Sequence, residues 1–566
     1  MIRTCFIILL LTVSVAGMAQ RKKQPAKKST KSTKTTKAKP KAATDTTVKE
    51  IKVFSAFKPS LRTAPKVNFS AATPVADTSA PKINYSVPNQ NLFFSYEPIA
   101  LKPLALGIDS VNEWASNNYI KAGFGNFSTP YLQAGLSFGD GSRSVVNVHT
   151  RHTSSKGNLP FQQFGQSNLD VIGVFNAANN NDEWTAKLGF DNQTTHRYGF
   201  LPDTLKFTKD QLKLRYSTFS ANVSLRNKVA SSFGISYNPS LALNLFNDNW
   251  GAKETNLVAK APISKTFGNA FAFDLGLTAD ITNYKAASTI KNNLFYITPA
   301  VRVKSPNFSF SAGFSPTWDN QVFNLLPNFT LQAKLKDERF VLLGGYVGYF
   351  VKNNFQTLVG INPWIQQPDA LLNTRITEQY AGFKGSAGAH FTYNAKVSYL
   401  DFSNQPLFIN DSIDGKSFRV VKETKMKALK IHGELGYTIQ DKFSLLAGIN
   451  FNQFSNLEVN ERAWGLIPLE VTAALRWQML KDVTIKSDFF FWDGPQYRNK
   501  FAQSRKQKAA IDWSAGVEFS VMRKLSLWVQ FNNMLQNEYQ RWNQYQVLGF
   551  NVVGGIVYSF SQSPKK

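Results

Sequence analysis

Five histidines, at 149, 152, 196, 390 and 432, are the residues most ready to ligate a metal or move a proton, and their spacing gives little support to either. His149 and His152 are three apart, so on an extended strand they face opposite sides and cannot share an ion. The segment "DEWTAKLGFDNQTTHRYGF" places Asp191, His196 and Arg197 close together in what reads as a loop, with no nucleophile beside them. "GFGNF" at Gly123–Phe127 and "GDGS" at Gly139–Ser142 lack the following helix of a phosphate-binding loop and read as strand and turn glycines. Cys5 is the one cysteine, and it lies in the amino-terminal leader, far from the cleavage point where a lipoprotein cysteine would stand. The mature chain therefore has no disulfide, thiol nucleophile or thiolate metal site, and the expectation is a non-enzyme without cofactor or metal.

The leader is "MIRTCFIILLLTVSVAGMAQ": a positive Arg3, an apolar core too short to span a bilayer, and Gly17-Met18-Ala19 as a small-x-small cleavage site. Residues 1–19 read as a secretory signal peptide. Eleven Lys or Arg and no acid fall within residues 1–41 of a chain whose net charge is +28. Residues 20–43 form a basic Lys/Thr/Ser/Ala arm, expected to be disordered because it cannot bury a core. Secretion removes it from nucleic acid, which leaves a periplasmic protein or an acidic envelope polymer as partner, or a solvated spacer. Residues 44–117 carry prolines at 59, 65, 74, 81, 88, 98 and 103, a linker or a partial stopper for a lumen. Within it "EIKVFSAF", Glu50–Phe57, has the pattern for strand addition to a partner's sheet.

From residue 118 to 560 the texture is uniform alternation. In "IDWSAGVEFS", Ile511, Trp513, Ala515, Val517 and Phe519 oppose Asp512, Ser514, Gly516, Glu518 and Ser520. "LEVTAALRW" and "VTIKSDFFFW" likewise set apolar faces against Glu470, Arg476, Lys486 and Asp488. With mean hydropathy of -0.25 and no second long apolar run, membrane helices are excluded, yet alternation fits both a sandwich and a membrane barrel. Three features favour the barrel: alternating units of about nine to twelve residues, aromatics at segment ends such as "SDFFFWDG" and "VYSF", and sorted connections. Tight turns at Asp441-Lys442, Lys481-Asp482 and Arg523-Lys524 recur about every 41 residues, with long loops between them. The fold class is all-β: a large antiparallel transmembrane β-barrel of about 22 strands, within a range of 16 to 22. The polar faces then make Glu470, Arg476, Lys486, Asp488, Asp512 and Glu518 lumen-facing. Prolines in "ITPAVRVKSPNFSFSAGFSPTW" are expected at strand ends.

The carboxyl end, "LWVQFNNMLQNEYQRWNQYQVLGFNVVGGIVYSF", resembles the last two strands of TonB-dependent receptor barrels of Bacteroidetes type. Asn533 and Tyr539 match that family's Asn-Leu-Phe-Asn-x-x-Tyr motif in identity and spacing; Met534 and Leu535 are conservative departures, and Gln536 replaces the second Asn. The resemblance implies a 22-stranded barrel in the outer membrane of a Gram-negative bacterium, its amino terminus periplasmic, in contact with outer-membrane lipid and lipopolysaccharide. It further implies that the terminal aromatics, Tyr558 and Phe560, are read by the barrel-insertion machinery, with residues 561–566 as a short tail. Such receptors carry a plug ahead of the barrel, and residues 20–117 have no plug-like alternation. Two functions follow: a plugless channel or receptor-like barrel that passes or captures solutes, or a structural or assembly component whose basic arm anchors a periplasmic partner.

Overall fold

The computed structural model describes residues 117–561, apart from 140–142, 178–180, 337–338 and 441. The signal peptide, basic arm, Pro-rich segment and residues 562–566 lie outside the described residues, as does Asp441. Among the described residues no helix is long and apolar enough to cross a membrane.

The chain forms one antiparallel sheet of 23 strands in which sequence neighbours pair in turn. The short Ile235–Tyr237 pairs with Lys253–Phe267, as Ser240–Asp248 does, so these two pieces make one interrupted strand and the barrel has 22. Closure comes from the first strand, Asn117–Gly125, pairing along its whole length with the last, Asn551–Ser561. Closure removes the two free sheet edges, whose unpaired backbone groups a bilayer could not satisfy. At this seam Gly123 stands opposite Gly555. A Cβ on Gly555 would lie 1.9 Å from the Ala122 carbonyl oxygen and 2.5 Å from the Gly123 Cα, so the seam closes this tightly only with glycine there.

Strand pleating sends alternate side chains to opposite faces. On Ala510–Met522, Trp513, Val517 and Phe519 are exposed while Asp512, Ser514 and Gly516 are buried. Across three strands, Leu169, Phe190 and Phe219 form one rung of exposed apolar side chains. This outer apolar face is the surface that hydrocarbon covers. Strands run longer than the nine to twelve residues read from alternation: Phe391–Asn410 has 20 and Phe418–Ile439 has 22. Their extra length projects past a bilayer's thickness and carries the loops with it.

Two further readings are corrected. Pro299 and Pro316 are not at strand ends; they lie inside Thr289–Ser305 and Phe308–Asp319. The ladder between those strands lapses from Tyr296 to Ala300, so two residues with no N–H share a single gap while each strand keeps its other neighbour. Asp191 and His196 likewise lie in a strand, Asp182–His196, because "KLGFDNQTTH" alternates inward and outward without interruption.

Connections are sorted by end. On the end where the first barrel strand starts and the last one finishes they are turns, as at 268–270, 306–307, 481–482 and 523–524, with 228–234 the longest. On the opposite end lie 197–208, 352–373, 411–417, 456–468, 493–509 and 533–550.

Candidate functional site

The long loops fold inward across their mouth and build a cap. Loop 352–373 carries a helix, Phe355–Ile361, started by a capping box in which the Asn354 side chain accepts from the Thr357 N–H. Glu254, on Lys253–Phe267, docks the helix by accepting from the Phe355 N–H at 2.6 Å and the Gln356 N–H at 3.1 Å. A carboxylate satisfies two of the helix's unpaired amides there and meets the positive end of its dipole. The loop's two ends are tied together: Asn353 Nδ2 donates to the Leu372 carbonyl at 2.8 Å, and Asn373 Nδ2 donates to Asn292 Oδ1 and Asp319 Oδ1, both at 2.7 Å. Lys352 Nζ lies 3.1 Å from Asp280 and donates to the Asn292 carbonyl. Burial lowers the Lys352 pKa, and Asp280 opposes that shift.

An apolar core unites this loop with strand ends and with loop 533–550. Phe355 meets Tyr284, Phe246 and Tyr216 edge-on, at centroid separations of 5.3, 5.4 and 6.4 Å. Trp364 stacks on Tyr545 at 3.9 Å, and Tyr198 closes on Tyr545 at 4.9 Å. Phe408 and Phe418, from the long pair of strands, pack on Trp542 at 5.1 and 5.5 Å. Polar contacts then span the mouth. Tyr216 Oη donates to the Pro363 carbonyl, Trp364 Nε1 to the His196 carbonyl, Tyr198 Oη to the Gln546 carbonyl and Tyr545 Oη to the Lys416 carbonyl. The Leu201 N–H donates to the Asp414 carbonyl, and Lys500 Nζ to the Leu201 carbonyl. Leu201 follows the fifth barrel strand and Asp414 the fifteenth, positions nearly opposite around a ring of 22.

Two carboxylates organise the remaining loops. Asp411 accepts from the N–H groups of Ile413, Asp414 and Ser417 and from Ser417 Oγ. Burial alone would raise its pKa, but these donors hold it below the ordinary carboxylate value. Glu423, fully buried, accepts from the N–H groups of Glu458, Val459 and Asn460 and so fixes the start of loop 456–468.

The residues flagged from sequence fall into two groups. Asp512 and Tyr539, chosen on different grounds, meet: Tyr539 Oη donates to Asp512 Oδ2 at 3.3 Å, beside Trp492 and Phe490. Asn533 clamps the base of loop 533–550; its Nδ2 donates to the Asn537 and Leu548 carbonyls, and its Oδ1 accepts from the Asn537 N–H. Glu470 sits within Coulomb range of Arg541, whose Nη2 donates to the Gly465 carbonyl and whose guanidinium lies 4.3 Å from the Trp542 ring. Burial pulls the Arg541 pKa down to about 10, against the pull of Glu470, so it remains cationic at neutral pH. Nearer the other end, Arg476 and Lys486 are ladder partners, Asp488 is opposite Ser514, and Glu518 is opposite Thr484. Glu518 shares its strand face with Asp512, the face opposite exposed Trp513 and Phe519. Tyr558 and Phe560 stack at 5.7 Å on the terminus-end edge of the last strand, with Tyr558 exposed.

Of the "SDFFFWDG" aromatics read as a membrane girdle, Phe490 and Trp492 instead stack on each other and pack against Tyr539 in the cap. Sequence reasoning missed Glu254, Lys352, Phe355 and Trp364. The one local signal was "KNNFQTL", an asparagine cap followed by Thr three residues on, in a chain otherwise poor in helical starts. Among the described residues no group of three His, Cys, Asp or Glu is placed to hold a metal ion.

No family model and no curated protein sequence matches the chain. Solved structures do. The FrpB iron transporter from Neisseria meningitidis (F5-1 variant) aligns with a TM-score of 0.61 at 10% identity, covering 79% of this chain and 82% of that one. The siderophore receptor PirA from Acinetobacter baumannii gives 0.60 at 9% identity, covering 80% and 81%. A point mutant of the ferric enterobactin receptor PfeA from Pseudomonas aeruginosa gives 0.59 at 12% identity, covering 79% and 81%. At these identities the likeness establishes the fold: a closed 22-stranded barrel of the architecture seen in siderophore receptors.

Proposed function

We propose that the chain is a receptor-like β-barrel of the outer membrane that captures or passes solutes through a lumen gated by its own loops. The observation that carries this reading is the buried core joining loop 352–373, loop 533–550 and the ends of distant strands. Such a core excludes water from the mouth it crosses, so passage requires the cap to move. The sorted connections support placing the looped end outside and the termini in the periplasm. In this arrangement Glu470 and Asp512 hold the underside of the cap, while Arg476, Lys486, Asp488 and Glu518 give the deeper lumen mixed charge. Tyr558 and Phe560 serve as the insertion signal, and outer-membrane lipid and lipopolysaccharide surround the wall.

Planar-bilayer recording tests the gate. The native protein is expected to be nearly silent, with or without residues 20–116, and a Trp364→Ala/Tyr545→Ala variant to carry sustained current. A large steady current from the native protein overturns the reading. The closed mouth also favours a second reading, an anchor that recruits a periplasmic protein or acidic polymer through residues 20–43. A cap variant that stays silent, together with a partner that co-purifies only when the arm is intact, supports that one instead.

A further inference from the structure

On the outer wall at the looped rim is a cavity of about 330 Å³ whose lining includes Lys156, Lys209, Lys213, Ser154, Thr194 and His196 and no carboxylate. Adjacent strands build it in register. Lys156 pairs with Gln163 and His196 with Lys213, the two pairs meeting where the His196 ring reaches the Gln163 carbonyl, and a second rung runs Ser154, Gly165, Thr194. Both rungs are on the same face as the exposed Leu169, Phe190 and Phe219, the face turned away from the lumen. His196 is only 4% exposed, and its Nε2 has no hydrogen-bond partner. Its Nδ1 lies 3.2 Å from the Gln163 carbonyl oxygen, an acceptor, so the ring proton belongs there and Nε2 offers a lone pair to a ligand hydroxyl.

Height above the membrane selects the ligand. The His196 rung is six residues beyond the Phe190 rung, about 20 Å along the strand and about 15 Å in height at the tilt of barrel strands. Between them on the same face stands the polar rung Ser167, Asn192, Ser217, where the headgroups of ordinary phospholipids belong. A phosphate that reaches the lysines must therefore be carried on something longer than a phospholipid headgroup. Three ammonium groups suit a phosphate monoester, while Ser154, Thr194 and the His196 lone pair suit neighbouring hydroxyls. We infer that this pocket seats a phosphorylated sugar, and that the sugar is the headgroup of a glycolipid in the leaflet on the looped side.

The full-length folded protein in nanodiscs would be equilibrated with lipopolysaccharide, with the same lipid after chemical dephosphorylation, or with free glucose 6-phosphate, and bound species counted by native mass spectrometry. The phosphorylated lipid should be retained about tenfold better than its dephosphorylated form, and the preference should weaken with salt. Lys156→Gln/Lys209→Gln/Lys213→Gln should abolish the preference. Lys209→Gln alone, outside the sheet ladder, should weaken it in a barrel still resistant to unfolding in detergent. Equal retention of both lipids, or an unchanged preference in the triple variant, overturns the site. Displacement of the lipid by an equal concentration of glucose 6-phosphate assigns a soluble ligand and overturns the lipid source.

Discussion

Replacing Phe355 with alanine should open the cap while leaving the barrel standing. Phe355 is 1% exposed and touches three aromatic rings, each on a different strand, yet it belongs to no rung of the barrel ladder. Truncating a buried phenylalanine costs about 3–5 kcal/mol, the lost transfer energy plus the cavity left behind. Charged to the closed state alone, that lowers the closed-to-open ratio by about a hundred- to a few-thousand-fold. The backbone amides of 355 and 356 still donate to Glu254, so the helix stays tethered and the change is in docking. Because Cys5 is the chain's one cysteine, Val359→Cys in a Cys5→Ser background, a small change at a 3% exposed helix position, provides a unique thiol reporter. In the regime where reclosing is fast, its labelling by a hydrophilic reagent tracks the open population. The Phe355→Ala background should raise that rate about a hundredfold or more. A change below about threefold, in protein that still shifts on gels when boiled, would falsify the account of the cap as one cooperative core.

Other perturbations probe separate parts of the molecule. Gly555→Val should block closure of the seam, since even a Cβ would overlap the Ala122 carbonyl; loss of the heat-modifiable band checks this, while Gly344→Val, on a strand where a Cβ would meet nothing nearer than 3.9 Å, should retain it. Asn533→Ala removes three hydrogen bonds at the base of loop 533–550 and, at about 1 kcal/mol each, should raise protease cleavage between 536 and 548 by about a hundredfold. Asp411 has a folded pKa below its unfolded value, so its stabilisation is complete above the unfolded value of about 3.9 and fades as pH falls through the lower folded one. Labelling at position 359, divided at each pH by that of the same thiol in unfolded protein because only the thiolate reacts, should therefore rise below about pH 4, and Asp411→Asn should show the higher ratio already at neutral pH and lose that acid step.

Much of the barrel is legible in the residues themselves. The opposition of Trp513 and Phe519 to Asp512 and Glu518, the turns at 481–482 and 523–524, and the spacing that gives 22 strands all reappear in the structure. Asp191 and His196 read as loop because their neighbours are polar, and a strand end beyond the hydrocarbon has no apolar face to announce it. Phe490 and Trp492 mislead for the converse reason. An aromatic at a strand end has the same local signature whether it faces lipid or a loop folded into the mouth.

The sequence alone determines that this chain alternates, turns tightly on one end and closes its last strand against its first. The first two follow from residues close together in the chain, the pleat's period of two and the short polar turns; closure follows because a bilayer offers no partner to an open sheet edge. The cap was decided only in three dimensions. Glu254 and the Phe355 amide are 101 residues apart, Trp364 and the His196 carbonyl 168, Tyr545 and the Lys416 carbonyl 129. No local pattern encodes those pairings. They exist because a ring of 22 strands brings its rims within reach of loops long enough to cross, and burying their aromatic rings together removes them from water.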